Sequence, residues 1–138
     1  MIFISIFTAL ITPFKNDQLD YLALHHLLDK QIVSGVDGII VGGSTGEGSS
    51  LSEEEHCELI AEAVKYSGKR VSIIAGVNAV STREATKKVT KLCQLGIDGL
   101  MCTAPHYIRP EQSGLVAHYK AISEASNVPI MVYIHPVR

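Results

Sequence analysis

Short apolar runs alternate along this chain with segments whose apolar residues recur every three or four positions. Phe3 to Thr12 is rich in Ile, Phe, Leu and Thr and stops at Pro13, as a buried first strand would. Asn16-Asp17 marks a turn and Asp20 a helix cap. Leu24, Leu27, Leu28 and Ile32 share one helical face, closed by Gly35. Gly38 to Val41 reads as the second strand. Ser52 with Glu55 is a capping-box pattern, and Leu59, Ile60, Ala63 and Val64 form the stripe of a helix that Gly68 ends. Arg70 to Ala75 is the third strand and Gly76 to Ala79 a turn. Ser81 with Glu84 repeats the capping-box pattern, and Ala85, Val89 and Leu92 carry a helix as far as Gly96. Asp98 to Thr103 is the fourth strand. Pro110 lies near the start of a fourth helix, where a missing N–H costs little; Val116, Tyr119 and Ile122 form its buried side and Asn127 its end. Val128 to Tyr133 is the fifth strand.

The predicted order is β-α-β-α-β-α-β-α-β with short connections. Each strand is a near-continuous apolar run, as expected for a parallel sheet with both faces covered. Ser34-Gly35-Val36-Asp37-Gly38-Ile39-Ile40-Val41 is echoed by Leu95-Gly96-Ile97-Asp98-Gly99-Leu100-Met101-Cys102, which points to a repeated βα unit. Two α/β architectures fit: a doubly wound open sheet, or part of a (β/α)8 barrel.

Composition narrows the chemistry. The 138 residues are 46% apolar and 19% charged, enough for one domain with a real core. A formal net charge of −2 gives no electrostatic case for nucleic acid or an anionic membrane surface. No apolar run approaches the roughly 20 residues of a membrane span. Met1 to Phe7 lacks the basic flank and cleavage site of a signal peptide and reads as strand. Cys57, Cys93 and Cys102 are odd in number, with no metal-type spacing, and read as free thiols of a reducing cytoplasm.

The glycine-rich stretch Gly42-Gly43-Ser44-Thr45-Gly46-Glu47-Gly48-Ser49-Ser50 joins a strand to a helix and can hold an anionic group on backbone donors. A tight polar connection with no ligand has the same composition. The glycine spacing matches neither a dinucleotide fingerprint nor a P-loop. No His-Glu-x-x-His occurs, no metal site is expected, and His25, His26 and His56 read as solvated or partly packed helix residues. In parallel α/β folds the active site lies at the carboxyl ends of the strands. Those ends carry Thr8, Thr12, Ser44, Thr45, Glu47, Asn78, Thr103, His106, Tyr107, Tyr133, His135 and Arg138. Tyrosine can move a proton and arginine can grip a carboxylate bidentately. Tyr107 and Tyr133 could equally be packing residues with a wet tip.

Thr8-Ala9-Leu10-Ile11-Thr12-Pro13-Phe14, Gly43-Ser44-Thr45-Gly46-Glu47, Pro105-His106-Tyr107-Ile108-Arg109-Pro110, and Tyr133 with Pro136 and Arg138 resemble the dihydrodipicolinate synthase family. These are pyruvate-dependent Schiff-base aldolases on a (β/α)8 barrel, a group that also holds N-acetylneuraminate lyase. The resemblance runs the full length, and Arg138 at this spacing favours dihydrodipicolinate synthase over its relatives. It implies about the first four and a half βα units of a barrel, residues 1–138 forming the N-terminal portion of the aldolase domain. It also implies a carbon–oxygen lyase of lysine (diaminopimelate) biosynthesis that condenses pyruvate with aspartate semialdehyde, needs no cofactor and works as a homo-oligomer. Carried over residue by residue, Thr45 holds the pyruvate carboxylate, and Tyr133 is the proton donor and acceptor. Ser44, Tyr133 and Tyr107 form a proton relay, with Tyr107 reaching in from a neighbouring subunit. Arg138 binds the second substrate's carboxylate.

The departures matter too. Ser44 stands where threonine is usual. His106-Tyr107-Ile108 replaces a Tyr-Tyr-Asn run, and Ile134 replaces an amide. His56 and Glu84 match the family's lysine-feedback pocket, but Val80 replaces an asparagine, which argues against feedback. The family's Schiff-base lysine lies on the sixth strand, beyond Arg138. Lys15, Lys30, Lys65, Lys69, Lys87, Lys88, Lys91 and Lys120 all sit elsewhere. A full barrel takes about 250 residues. The chain alone is therefore expected to be inactive, and to work only with a C-terminal half that supplies the lysine. The competing expectation is a non-catalytic remnant or a half-barrel that binds small carboxylates.

Overall fold

A computed structural model describes residues 6–135. Strand β1 (Phe7–Ala9) leads to a two-stranded antiparallel hairpin, β2 (Phe14–Lys15) and β3 (Gln18–Leu19). Asn16 and Asp17 form its turn with φ of 52° and 58°, the left-handed pair that a tight hairpin needs. Sequence predicted the turn but not the hairpin, whose two-residue strands are too short to show a period. Helix α1 (Tyr21–Val33), β4 (Gly38–Val41), α2 (Glu53–Ser67), β5 (Ser72–Val77), α3 (Thr82–Leu92), a 3₁₀ turn (Cys93–Leu95), β6 (Gly99–Thr103), α4 (Gln112–Ala125) and β7 (Ile130–Tyr133) follow.

The sheet is wholly parallel in the order β1-β4-β5-β6-β7, so neighbours in space are successive βα units. Alternate residues separate its two faces. Ile39, Val41, Ile73, Ala75, Val77, Leu100 and Cys102 share one core with Leu24 and Leu28 of α1, Leu59 and Ile60 of α2, Val89 of α3 and Ile122 of α4. Among the described residues, Ile40, Ile74 and Met101 on the other face form a separate small cluster with Phe7 and Met131. All four helices thus cover one face, and the strand order never reverses. This is the wall of a barrel and excludes the doubly wound alternative, whose order reverses at a switch point. Each fully buried Leu or Ile contributes about 1.5–3 kcal/mol.

Helix ends obey the local chemistry. Asp20 accepts the Ala23 N–H at 3.0 Å. Ser52 and Glu55 close a reciprocal capping box. The second box does not close: Ser81 accepts the Glu84 N–H, but Glu84 accepts from Val80 N–H at 3.3 Å and pairs with Lys88. The sequence echo has a structural cause. Asp37 accepts the Ile6 N–H through its carboxylate, while its own N–H donates to the Ile6 carbonyl; Asp98 does the same with Ile73. Each aspartate ties the start of its strand to the neighbouring one.

Several boundaries move. Strand β5 runs two residues past the expected end, because Gly76 and Val77 pair with Met101 and Cys102. Strand β7 begins after Pro129, which has no N–H but whose carbonyl accepts from Leu100. Pro110 precedes α4, whose N-cap is Glu111. Val116 is 67% exposed, and the buried side of α4 is His118 and Ile122. The expected strand residues Phe3–Ser5, together with Pro136 and Arg138, lie outside the described residues.

Candidate active site

The carboxyl end of β4 turns at Gly42, φ 65°, into a compact loop. Within it, the Glu47, Gly48 and Ser50 N–H groups donate to the carbonyls of Ser44, Gly43 and Glu47. Those three donors are therefore taken by the loop itself. The glycines make a floor of close backbone approaches. A Cβ on Gly76 would lie 2.5 Å from the Gly43 nitrogen and 2.6 Å from the Gly42 oxygen, and one on Gly48 would lie 2.7 Å from the Gly42 carbonyl carbon. Gly42, Gly43, Gly46 and Gly48 are buried, while Ser44, Thr45 and Glu47 stand exposed above them.

Three buried side chains grip this floor. Thr12 Oγ1 donates to the Gly46 carbonyl at 2.6 Å. His56 Nε2 lies 3.2 Å from the Gly42 oxygen, and Asn78 Nδ2 donates to the same oxygen at 3.4 Å. A carbonyl only accepts, so His56 carries its proton on Nε2. His56 is 4% exposed, against the expectation of a solvated or partly packed residue. It belongs to the stripe it shares with Leu59, Ile60 and Ala63, and that spacing is the sequence signal that could have placed it inside. His25 is only partly buried, stacked 3.8 Å from Tyr66 and 2.7 Å from Glu62.

Tyr133 ends β7 opposite Thr103, exposed, with its ring edge-on to His135. A cavity of about 620 Å³ adjoins it, lined by Asn78, Thr103, His106, Tyr133 and His135 on the polar side and by Leu115, Val116 and Val132 on the apolar side. The sequence-predicted rim is thus partly assembled. Ser44, Thr45 and Tyr107 are not among the residues lining this cavity. Tyr107 is fully exposed at φ 73°, a strained backbone for a bulky residue. Thr8 does not reach the rim: it sits in β1 opposite Ile39, its hydroxyl buried without a hydrogen-bond partner among the described residues. Thr12 is buried and engaged with the glycine floor. Arg138 is outside the described residues.

His118, which sequence reasoning missed, lies beneath the Thr103 end of β6. Its Nε2 is 3.3 Å from the Thr103 carbonyl and its Nδ1 2.9 Å from the Thr82 hydroxyl. Among the described residues no three His, Cys, Asp or Glu side chains converge as metal ligands, and no helix is long and apolar enough to cross a membrane.

The sequence profile of the Dihydrodipicolinate synthetase family matches residues 2–138. The chain belongs to this family. A 4-hydroxy-tetrahydrodipicolinate synthase from Rickettsia akari (strain Hartford) is 43% identical over 137 residues, which are 99% of this chain and 47% of that protein. A crystal structure of a dihydrodipicolinate synthase from Bacillus anthracis superposes with a TM-score of 0.94 at 35% identity, over 100% of this chain and 48% of that one. A chloride-inhibited dihydrodipicolinate synthase from Acinetobacter baumannii, solved in complex with pyruvate, gives 0.92 at 40% identity, over 97% and 46%. The chain spans about half the length of the relatives it matches, and its curled parallel sheet is the N-terminal half of their barrel.

Within this dihydrodipicolinate synthetase half-barrel, burial dominates the titration of Cys102, His56 and His118. Burial pushes the Cys102 thiol up to about 12, which leaves it inert as a nucleophile. Burial also lowers His56, outweighing the Gly42 carbonyl that favours its proton, and lowers His118 in the same way. A histidine with a lowered pKa in the folded state takes up its proton less readily than in the unfolded chain, where the value is about 6.5. The unfolded state then binds more protons below about pH 6.5, so stability is full above that value and falls as pH drops through it toward the lowered folded values. Urea midpoints at pH 7.5 and 5.5 should accordingly show the chain weaker at 5.5. A flat or rising midpoint on acidification would contradict the buried neutral assignment.

Proposed function

We propose that these residues form the pyruvate-binding portion of a Schiff-base aldolase of the dihydrodipicolinate synthase type, condensing pyruvate with aspartate semialdehyde in lysine biosynthesis. The observation that carries the reading is the presentation of Ser44 and Thr45, exposed on a rigid glycine floor at the carboxyl edge of a parallel sheet whose fifth strand, β7, ends at Tyr133. Thr45 takes the pyruvate carboxylate. A lysine amine from the following βα units attacks the pyruvate ketone and releases water, forming an imine that acts as an electron sink. Tyr133, in relay with Ser44 and with Tyr107 of a neighbouring subunit, moves the protons of these steps. Loss of a methyl proton gives an enamine that attacks the aldehyde of the second substrate, whose carboxylate Arg138 binds. The full exposure of Tyr107 supports a reach across a homo-oligomer interface.

None of the eight lysines suits the nucleophile's place. Lys88 lies beside the turn after β5, but its amine is held by the Asn78 carbonyl at 2.9 Å and by Glu84. The lysine is therefore proposed to come from C-terminal βα units, which also cover the exposed Val116, Val132 and Ile134 beside β7. A cytoplasmic location accords with the free cysteines Cys57, Cys93 and Cys102. Incubation with pyruvate and borohydride tests the assignment. The chain alone should acquire no reduced pyruvyl adduct. With the C-terminal remainder of the Rickettsia akari synthase added, the adduct should appear on that partner. An adduct on a lysine of this chain would overturn it.

A further inference from the structure

We infer that Thr12, His56 and Asn78 are positioning residues that set the height and orientation of the Ser44-Thr45 loop. Five polar side chains are buried among the described residues: Thr12, His56, Ser67, Asn78 and His118. Three of them, from the segment after β1, from α2 and from the end of β5, converge on two carbonyls of one nine-residue turn. The Gly42 oxygen has two lone pairs and two donors, His56 and Asn78, so its direction is fixed. Gly46, on the far side of Ser44 and Thr45, is fixed by the short bond from Thr12. The two exposed residues are thereby held at both ends by buried groups, while their own side chains remain available.

Asn78 is itself anchored. Its carbonyl accepts from Lys88, whose charge Glu84 balances, which ties the loop through β5 to α3. The packing leaves no slack. A Cβ on Gly42 would lie 2.5 Å from His56 Nε2, and one on Gly46 3.1 Å from Thr12 Oγ1. His56 and Glu84 are the two residues that match the family's lysine-feedback pocket. In this chain His56 is occupied with the Gly42 carbonyl and Glu84 with Lys88 and the Val80 N–H. The inference rests on the proposed carboxylate cradle only for the purpose of the loop. The pinning itself is a property of the free chain.

The experiment separates the two. Amide hydrogen exchange and ¹⁵N shifts are measured for Ser44, Thr45 and Glu47 in the free chain, and pyruvate affinity is measured by NMR titration. Thr12→Val keeps the side-chain shape and removes the donor; His56→Phe keeps a ring without an N–H. Each should speed exchange of the Glu47 amide, which donates to the Ser44 carbonyl, by about tenfold and weaken pyruvate binding by about tenfold, the effect of one lost buried hydrogen bond. Protection at Val89 in α3 should be unchanged, which a general loss of stability would not permit. Thr12→Ser, which retains the hydroxyl, should restore both readouts. If His56→Phe does not fold, the Thr12 pair decides. Unchanged exchange of the Glu47 amide in Thr12→Val would overturn the inference, as would equal losses in Thr12→Val and Thr12→Ser. If the unmodified chain binds no pyruvate, the cradle reading fails while the exchange result still judges the pinning.

Discussion

Gly76→Ala is expected to destabilise the chain by about 3 kcal/mol or more, at or beyond the upper end for overpacking. The added Cβ would lie 2.5 Å from the Gly43 nitrogen and 2.6 Å from the Gly42 oxygen. Both are backbone atoms, so no side-chain rotation relieves the overlap. Relief requires moving β5 away from the end of β4, against a sheet whose ladder runs through Val77↔Cys102 on the other side. It also displaces the Gly42 carbonyl from His56 and Asn78, leaving buried donors unpaired, which costs about 1–3 kcal/mol more. Gly35→Ala is the matching control. Its φ of 76° strains any side chain, but nothing lies within 4 Å of the new Cβ, so about 1–2 kcal/mol is expected. Urea denaturation of both variants gives the ranking. A Gly76→Ala chain as stable as the original, or more stable than Gly35→Ala, would mean the glycine floor is not close-packed as described.

That floor depends on contacts between segments distant in sequence. The glycine-rich stretch, its strand before and its capping box after were all legible, because caps and left-handed glycines are local chemistry. Its partner Gly76 was read as part of a turn, since nothing in Gly-Val-Asn-Ala reveals that the first two residues still pair with β6. Asp37 and Asp98 showed as an echo, but the reciprocal bond each makes to a neighbouring strand is a non-local fact. In α4 the spacing of Val116, Tyr119 and Ile122 suggested a buried face, yet His118 is inside and Val116 is out. A histidine bonded to Thr82 and Thr103 costs little to bury, and an apolar period alone cannot anticipate that pairing. Most of the site residues were named from the strand-end rule and from family resemblance. Which of them share a cavity was decided by packing: Tyr133, Thr103, His106 and Asn78 do, whereas Ser44, Thr45 and Tyr107 do not line it.

Tyr133→Phe is expected to lower turnover by about 10²–10⁴-fold in an enzyme reconstituted from this chain and the C-terminal remainder of the Rickettsia akari synthase, the range for a positioned proton-transfer group. The proposed chemistry makes protons move at each step: onto the departing water as the imine forms, off the pyruvate methyl as the enamine forms, and onto the new alkoxide. A phenyl ring fills the same space and leaves the β7 pairing of Thr103 with residue 133 intact. Tyr133 is 42% exposed, so the lost hydroxyl leaves little buried polar surface behind. Stability should therefore change by less than about 0.5 kcal/mol. Borohydride trapping separates the roles: the rate of adduct formation on the partner lysine should fall with turnover, whereas a purely structural tyrosine would leave that rate unchanged. Tyr119→Phe is the internal comparison, because among the described residues its hydroxyl reaches the Tyr133 carbonyl at 3.5 Å and it is given no proton to move. If both phenylalanine variants lose activity equally, or if Tyr133→Phe retains nearly full turnover, the proton path runs through another group, and His106 and His135 on the same cavity wall become the residues to test.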